Sequence, residues 1–385
     1  MKYLALVLRS LFRSKRRTVL TVLFLAVSVF LVAILQSVLA TLEGFANNPN
    51  ASSRVAVRHK VSITNLLPLR YGDWIRQQPE VEAAMGLQWF GGVYQDPRNF
   101  FANFAAEPEA IVTIFKEEIV TYSAAEFRDF LRDRNGCIVG QSLAAKYGWK
   151  VGDVVPLKGT IFPMDPRLTV RGIWRSRRQV DEQALYFHHK LLEESVPWME
   201  GRVGAFWVRI KHPDDVPAFI ERADRHFSDA VEPTQSETEN AFQLNFLKMM
   251  GDIATIIHAI TMAVLAALLI VTANTMAMAI RERTTEVAVF RAMGFTSWQV
   301  LGILLAEGIL LALLGGAGGI GLAWLGAGLI KTGLGSAIPW LVDFAIPKET
   351  LLLCLHATMG LGILSTLLPA WRAVRRPIVD GLRAL

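Results

Sequence analysis

The chain has 385 residues, 52% of them apolar and 19% charged, against a soluble average in which about a quarter are charged. It is long enough for two units of ordinary domain size. The formal net charge of +6 does not mark a nucleic-acid binder, because the densest basic residues, Lys15, Arg16 and Arg17 at one end and Arg372, Arg375 and Arg376 at the other, directly flank apolar runs. Two cysteines, Cys137 in polar sequence and Cys354 in an apolar run, exclude a disulfide framework or a cysteine metal site.

In chain order, Leu4, Val7, Leu8, Leu11 and Phe12 recur at helical spacing opposite Lys2, Arg9 and Arg13. This predicts an amphipathic helix lying in a membrane interface over 1–17, with a disordered basic tail as the alternative. An uncharged run over 18–42 follows. A hydrocarbon core of about 30 Å takes roughly 20 apolar residues to cross, and this run meets that length. Val38-Leu39-Ala40 would also suit signal-peptide cleavage, but the run exceeds the roughly 7–15 residues of a signal core, so an uncleaved anchor is expected. Three further runs, over 253–280, 299–330 and 350–371, are expected to cross as well.

Basic residues near span ends stay on the cytoplasmic side. The basic amino terminus, the loop carrying Arg281, Arg283 and Arg291, and the basic tail over 372–385 can share that side only with an even number of spans. Four satisfies this, placing 43–251 and the short loop 331–349 outside. The expected fold is therefore membrane α-helical, with four transmembrane helices and a large mixed α/β extracytoplasmic domain between helices 1 and 2.

Within 43–251, Arg54–Val57, Cys137–Gly140, Leu168–Trp174 and Gly204–Ile210 read as strands, and Gln141–Tyr147 as a helix. Pro213-Asp214-Asp215-Val216-Pro217 reads as a helix start in which an aspartate accepts from the free first-turn amides. Gly152-Asp153 reads as a turn. Glu232 to Glu239 reads as a polar approach to a helix entering the second span.

Catalytic chemistry has no foothold in the pattern. His188 and His189 stand near Asp181 and Glu182, but neighbouring histidines on a strand point to opposite faces and would not share a metal. No H-E-x-x-H, no G-x-S-x-G and no G-x-x-x-x-G-K-[ST] phosphate loop occurs. The chain is expected to be non-catalytic, with no metal site and no cofactor of its own.

The loop 281–298 carries a run from Arg281 to Phe295 that starts where the second span ends and stops at Gly294, a natural helix terminator. Val287, Phe290 and Met293 give it a short apolar face, beside Glu286 and Arg291. A solvated loop with a frayed helix is the alternative. In the third span Gly308, Ala312 and Gly316 form one small-residue ridge, and Gly315, Gly319, Ala323 and Ala327 another. Such ridges let backbones approach closely in lipid, either between subunits or within one. Glu307 is an intramembrane carboxylate and so a functional candidate, near enough to the cytoplasmic end to serve a structural role instead.

The Arg281–Phe295 run, Glu307-Gly308, Leu314 to Gly319 and the ending Pro369 to Ile378 with Leu382-Arg383 together resemble FtsX-like permeases. Residues 137–172 and the His212-Pro213-Asp214-Asp215 helix resemble the outer domain of MacB-like members. The resemblance implies the permease subunit of an ABC transporter in the bacterial inner membrane, with both termini cytoplasmic. It implies a dimer with a second copy or a homologous permease, and an ATPase subunit that grips the Glu286–Gly294 helix and binds ATP and Mg. MacB carries its ATPase fused at the amino terminus, whereas this chain begins directly at the membrane, so a separate ATPase polypeptide is expected. The substrate class implied is a hydrophobic or membrane-associated molecule, such as a lipid, lipoprotein, or amphipathic drug or peptide. It would be exported or extracted by mechanotransmission, with room for a periplasmic adaptor and for contact with membrane lipid, and with no nucleic acid. The alternative is a signalling device that activates an external cell-wall hydrolase.

Overall fold

The computed structural model describes residues 15–46, 48, 51–96, 99, 101–179, 181–249, 251–333, 341, 344–375 and 377. The interfacial helix expected over 1–17 falls mostly outside them, as does most of the tail over 372–385. Contacts divide the chain into two compact units, one containing the four long apolar helices and the other built on Thr41–Gly251.

The helical unit has four candidate spans, Lys15–Gly44, Ile253–Arg281, Ser297–Lys331 and Lys348–Val374, and the protein is a multi-pass membrane protein. Asp252 starts the second by accepting from the Thr255 amide at 3.1 Å, satisfying one of the free first-turn donors. The second span runs along the fourth, and Gln36 of the first reaches Thr261 of the second at 3.1 Å.

The other unit is built on one mixed sheet. Its strands are β1 (Arg54–His59), β3 (Val81–Trp89), β4 (Ala102–Ala106), β5 (Gly136–Gly140), β6 (Val154–Pro156), β7 (Arg167–Trp174), β8 (Ala184–His188), β10 (Ala205–Ile210) and β11 (Thr234–Thr238). They lie in the order β11-β1-β10-β3-β4-β8-β5-β7-β6, while β2 (Leu67–Pro68) and β9 (Arg202–Val203) form a separate pair. The half from β11 to β4 is antiparallel, and β4–β8 and β5–β7 are parallel.

The local sequence explains these choices. Every residue of β5 is buried: Cys137 and Val139 enter one apolar cluster and Ile138 another, as an uninterrupted apolar run requires when both sheet faces are covered. In β7 Leu168, Val170 and Trp174 alternate with more exposed residues, the period-2 pattern of a strand. Gly152 adopts φ +99° in a turn where the Asp153 carboxylate accepts from the Lys150 amide at 2.8 Å. The helix Val216–His226 buries Phe219 and Ala223 against Val57, Phe206 and Val208.

Two expectations need correction. The helix start at Pro213 is a 3-10 turn over Pro213–Asp215, closed by the backbone bond from Asp215 N to His212 O at 3.0 Å. Asp215 makes no side-chain cap. The polar stretch before the second span contains β11, paired with β1 from Val55↔Thr238 to His59↔Thr234. Its inward Ser236 gives its amide and hydroxyl to Asp224 at 2.8 and 2.7 Å. A strand anchored by hydroxyls has no apolar alternation to reveal it.

Candidate functional site

Arg283 precedes a helix over Thr284–Ala292 that links the second and third spans. Its end is a Schellman motif: Gly294 stands at φ +95°, Gly294 N donates to Arg291 O at 3.2 Å and Phe295 N donates to Phe290 O at 3.1 Å. The Phe290 and Phe295 rings, 5.5 Å apart, supply the apolar contact that accompanies this cap. The next residue begins the third span with a capping box, Thr296 N donating to Gln299 Oε1 at 2.8 Å and Gln299 N to Thr296 Oγ1 at 3.3 Å. Two helices thus meet at Gly294-Phe295-Thr296, with the amides of Gly294, Phe295, Thr296 and Gln299 all engaged at the joint.

The linking helix is fastened to the spans at several points. Arg283 Nη1 donates to both carboxylate oxygens of Glu307, at 3.1 and 2.9 Å, and both side chains are largely buried. Arg291 Nη1 donates to Val374 O at the end of the fourth span, 2.9 Å away. Arg17 at the start of the first span pairs with Glu282. Glu307 is therefore the buried anchor of the loop, consistent with the structural role open to it.

The apolar face runs differently from the sequence expectation. Val287 is buried and Phe290 half-buried in a cluster with Ile280, Val300, Leu304, Ala370 and Val374, so both are turned into the chain. Met293 (61% exposed) remains outside, joined by Val289 (39%) and by Trp298 (79%) on the first turn of the third span. Glu286 is half-buried on this helix, and Gly294 is exposed at its end.

The two ridges of the third span are occupied within the chain. A Cβ on Gly308 would collide with the Thr366 hydroxyl of the fourth span, and one on Gly316 would stand 2.9 Å from Thr358 Cγ2. Ala312 fills the notch at Gly362, where an added Cβ would come within 2.7 Å of it. On the other side Gly315 abuts Leu25 of the first span, and a Cβ on Gly319 would lie 2.6 Å from Ala26 O and 2.7 Å from Val29 Cβ. Of the two readings open to these ridges, between subunits or within one chain, the structure shows the second: the first and fourth spans of the same chain occupy them. A bulky residue there would act on the fold of the helical unit itself.

The sheet unit holds a second charged constellation, which motif reasoning passed over. Arg54 on β1, 1% exposed, donates to both Glu118 oxygens at 2.7 Å and to Glu239. Glu118 also accepts from Asn48 Nδ2 at 2.8 Å, and Asn48 and Asn240 exchange bonds of 3.1 and 3.2 Å. Opposite Arg54 in the ladder, Arg209 donates to Glu82 and Glu117. The chain leaving the first span and the chain approaching the second are thereby tied together at one end of the sheet. Burial disfavours the Glu118 carboxylate, but the Arg54 bonds and charge and the Asn48 amide outweigh it and hold Glu118 below the usual range. Burial pushes Glu239 up, with Arg54 offsetting only part. The only sequence signal for this was an arginine interrupting a strand and an adjacent Glu117-Glu118 pair.

Asp181 lies beside this group. Burial raises it to about 6, opposed by Arg178 and the Ser176 hydroxyl and reinforced by the negative charges of Glu118 and Glu239. A carboxyl whose folded value is raised takes up a proton on folding, so its contribution to stability falls as pH rises from about 4 through 6. Asp181→Asn should therefore raise the melting temperature at pH 7.5 and change it little near pH 4, with an intermediate effect between. An equal shift at both pH values would show that Asp181 is not strained by its charge.

His188 and His189 take separate partners: His188 Nε2 lies 2.7 Å from Phe130 O, and His189 Nδ1 lies 3.7 Å from Glu193. Glu182 accepts from the Ser142 and Ser176 amides.

Residues 18–226 match the MacB-like periplasmic core domain, and residues 257–378 match the FtsX-like permease C-terminal region. The chain belongs to the MacB-type, FtsX-like permeases. An uncharacterized ABC transporter permease of Methanocaldococcus jannaschii is 25% identical over 308 residues, covering 77% of this chain and 74% of its own. The macrolide export ATP-binding/permease protein MacB of Escherichia coli is 30% identical over 223 residues, 52% of this chain and 32% of its own. The uncharacterized ABC transporter permease YknZ of Bacillus subtilis is 31% identical over 110 residues, 29% of this permease and 26% of its own. The permease thus spans about a third or less of the last two. The extracellular domain of a YknZ from Gram-positive bacteria aligns with a TM-score of 0.37 at 13% identity, covering 48% of the permease and 100% of that domain.

Proposed function

We propose that this permease is the membrane subunit of an ATP-driven transporter of the bacterial cytoplasmic membrane, with residues 43–251 on the outer side. A separate ATPase subunit binds ATP and Mg and docks on the linking helix. Its cycle moves the spans and, through them, the outer domain, so that a hydrophobic or membrane-associated substrate is exported or extracted. The observation that carries this reading is the linking helix: it is pinned to the spans by Arg283–Glu307 and Arg291–Val374, yet it presents Val289 and Met293 outward. A body so fastened passes a push on its outer face to the spans. The basic residues of the same loop favour a cytoplasmic location for it.

The test is recovery of the ATPase on the purified permease. A Val289→Asp, Met293→Asp double variant should lose most of the ATPase, a drop of at least about tenfold if the pair is a docking hot spot, while inserting normally. Phe290→Ala should instead lower the melting temperature of the permease, because that ring packs inward. Wild-type ATPase recovery by the double variant would remove this helix as the docking element.

A further inference from the structure

The fourth span ends in an ordered gradation along one face. Leu364, Leu368, Trp371 and Arg375 follow one another at spacings of four, three and four, so they line one side of the helix, and all four are exposed. Apolar chain, aromatic ring and guanidinium succeed one another over about 16 Å of helix, roughly half of a hydrocarbon core of about 30 Å. The stripe therefore matches one leaflet from its interior to its surface.

The charged end is held in place. The Arg375 guanidinium lies over the Trp371 ring, 4.1 Å from its centroid, a cation–π contact that fixes it at the level where interfacial tryptophans sit. Arg372, three residues earlier and its neighbour on the helix surface, is exposed as well. Arg17, Arg283 and Arg291 are engaged by Glu282, Glu307 and the Val374 carbonyl in turn, whereas no carboxylate pairs with Arg372 or Arg375 among the described residues. Two guanidiniums without counter-charge at a membrane surface attract an anionic headgroup.

We propose that this face holds one anionic phospholipid, its phosphate taken by Arg372 and Arg375, its glycerol beside Trp371 and an acyl chain along Leu368 and Leu364. A guanidinium meets phosphate oxygens with two parallel N–H donors, which a point charge cannot do. A lipid is the occupant, rather than free phosphate, because the apolar half of the stripe continues from the same ring. A lipid of net negative charge is preferred over phosphatidylcholine, whose own ammonium balances its phosphate. The site requires only that the fourth span crosses a bilayer, and it depends on no step of the proposed transport cycle.

The test titrates the full-length permease in detergent with phosphatidylglycerol, with phosphatidylcholine and with inorganic phosphate, and counts bound lipid by native mass spectrometry. The wild type should retain phosphatidylglycerol in preference to phosphatidylcholine, and inorganic phosphate should not displace it. Arg372→Ala and Arg375→Ala should each weaken phosphatidylglycerol binding by roughly fivefold and leave phosphatidylcholine unchanged. Arg375→Lys should recover part of the loss, since it keeps the charge without the fork. A Lys15→Ala, Arg16→Ala double variant removes the same charge from exposed positions on the first span and should change little. An equal loss in that control would reduce the site to diffuse attraction, and wild-type retention in an Arg372→Ala, Arg375→Ala double variant would remove it; either result overturns the proposal. Displacement by inorganic phosphate would overturn the lipid as occupant.

Discussion

Glu307→Ala is expected to destabilise the helical unit by about 3–5 kcal/mol, because it removes the carboxylate that takes two hydrogen bonds from the largely buried Arg283 guanidinium. The carboxylate now holds Arg283 at 2.9 and 3.1 Å, so the variant frees one end of the linking helix from the third span. Thermal unfolding of the detergent-solubilised permease reads the loss. Glu307→Leu combined with Arg283→Leu should recover much of it, since replacing both charges avoids the uncompensated one. Unchanged melting in the single variant would mean that the pair does not anchor the loop.

Arg54→Ala should be comparably severe in the other unit. It strands Glu118 and Glu239, both nearly buried, with no cation of equal reach, and the expected loss is again about 3–5 kcal/mol. The lesion should appear first as faster hydrogen exchange at Asn48 and Asn240, whose mutual bonds rest on the same cluster. Lowering the pH should partly relieve it, because Glu239 is already held above its usual range and protonates readily. Arg54→Lys should fall between, a single ammonium being unable to reproduce the fork that meets two Glu118 oxygens and Glu239. A wild-type exchange pattern in Arg54→Ala would show that the network merely fills space.

The spans were legible because length and lack of charge suffice to define them, and β5 and β7 because their burial patterns are written as apolar runs and alternation. Gly294 announced the end of the linking helix for a local reason, the left-handed backbone that its Schellman motif requires. β11 was not legible, since its inward positions carry hydroxyls that bond to Asp224. The facing of the linking helix was hidden for another reason. Val287, Phe290 and Met293 share a spacing, but which of them turns inward depends on Val300, Leu304 and Val374, far along the chain. The same limit applied to the glycine ridges: the sequence shows that something comes close, and only Leu25, Thr358 and Thr366 say what. Arg54 escaped because its partners stand 64 and 185 residues away, beyond the reach of any local motif.

The elbow at Gly294-Phe295-Thr296 has a mechanical corollary. A joint made of spare residues has backlash: a small displacement on one side is absorbed before anything moves on the other. Here a C-terminal cap and an N-terminal cap share three residues, with the Phe290 and Phe295 rings packed at a tilt beside the bend, so no spare residue lies between the two helices. Under the proposed docking of an ATPase on the linking helix, that helix and the third span would serve as the two arms of a bell crank, a stroke on one being returned by the other.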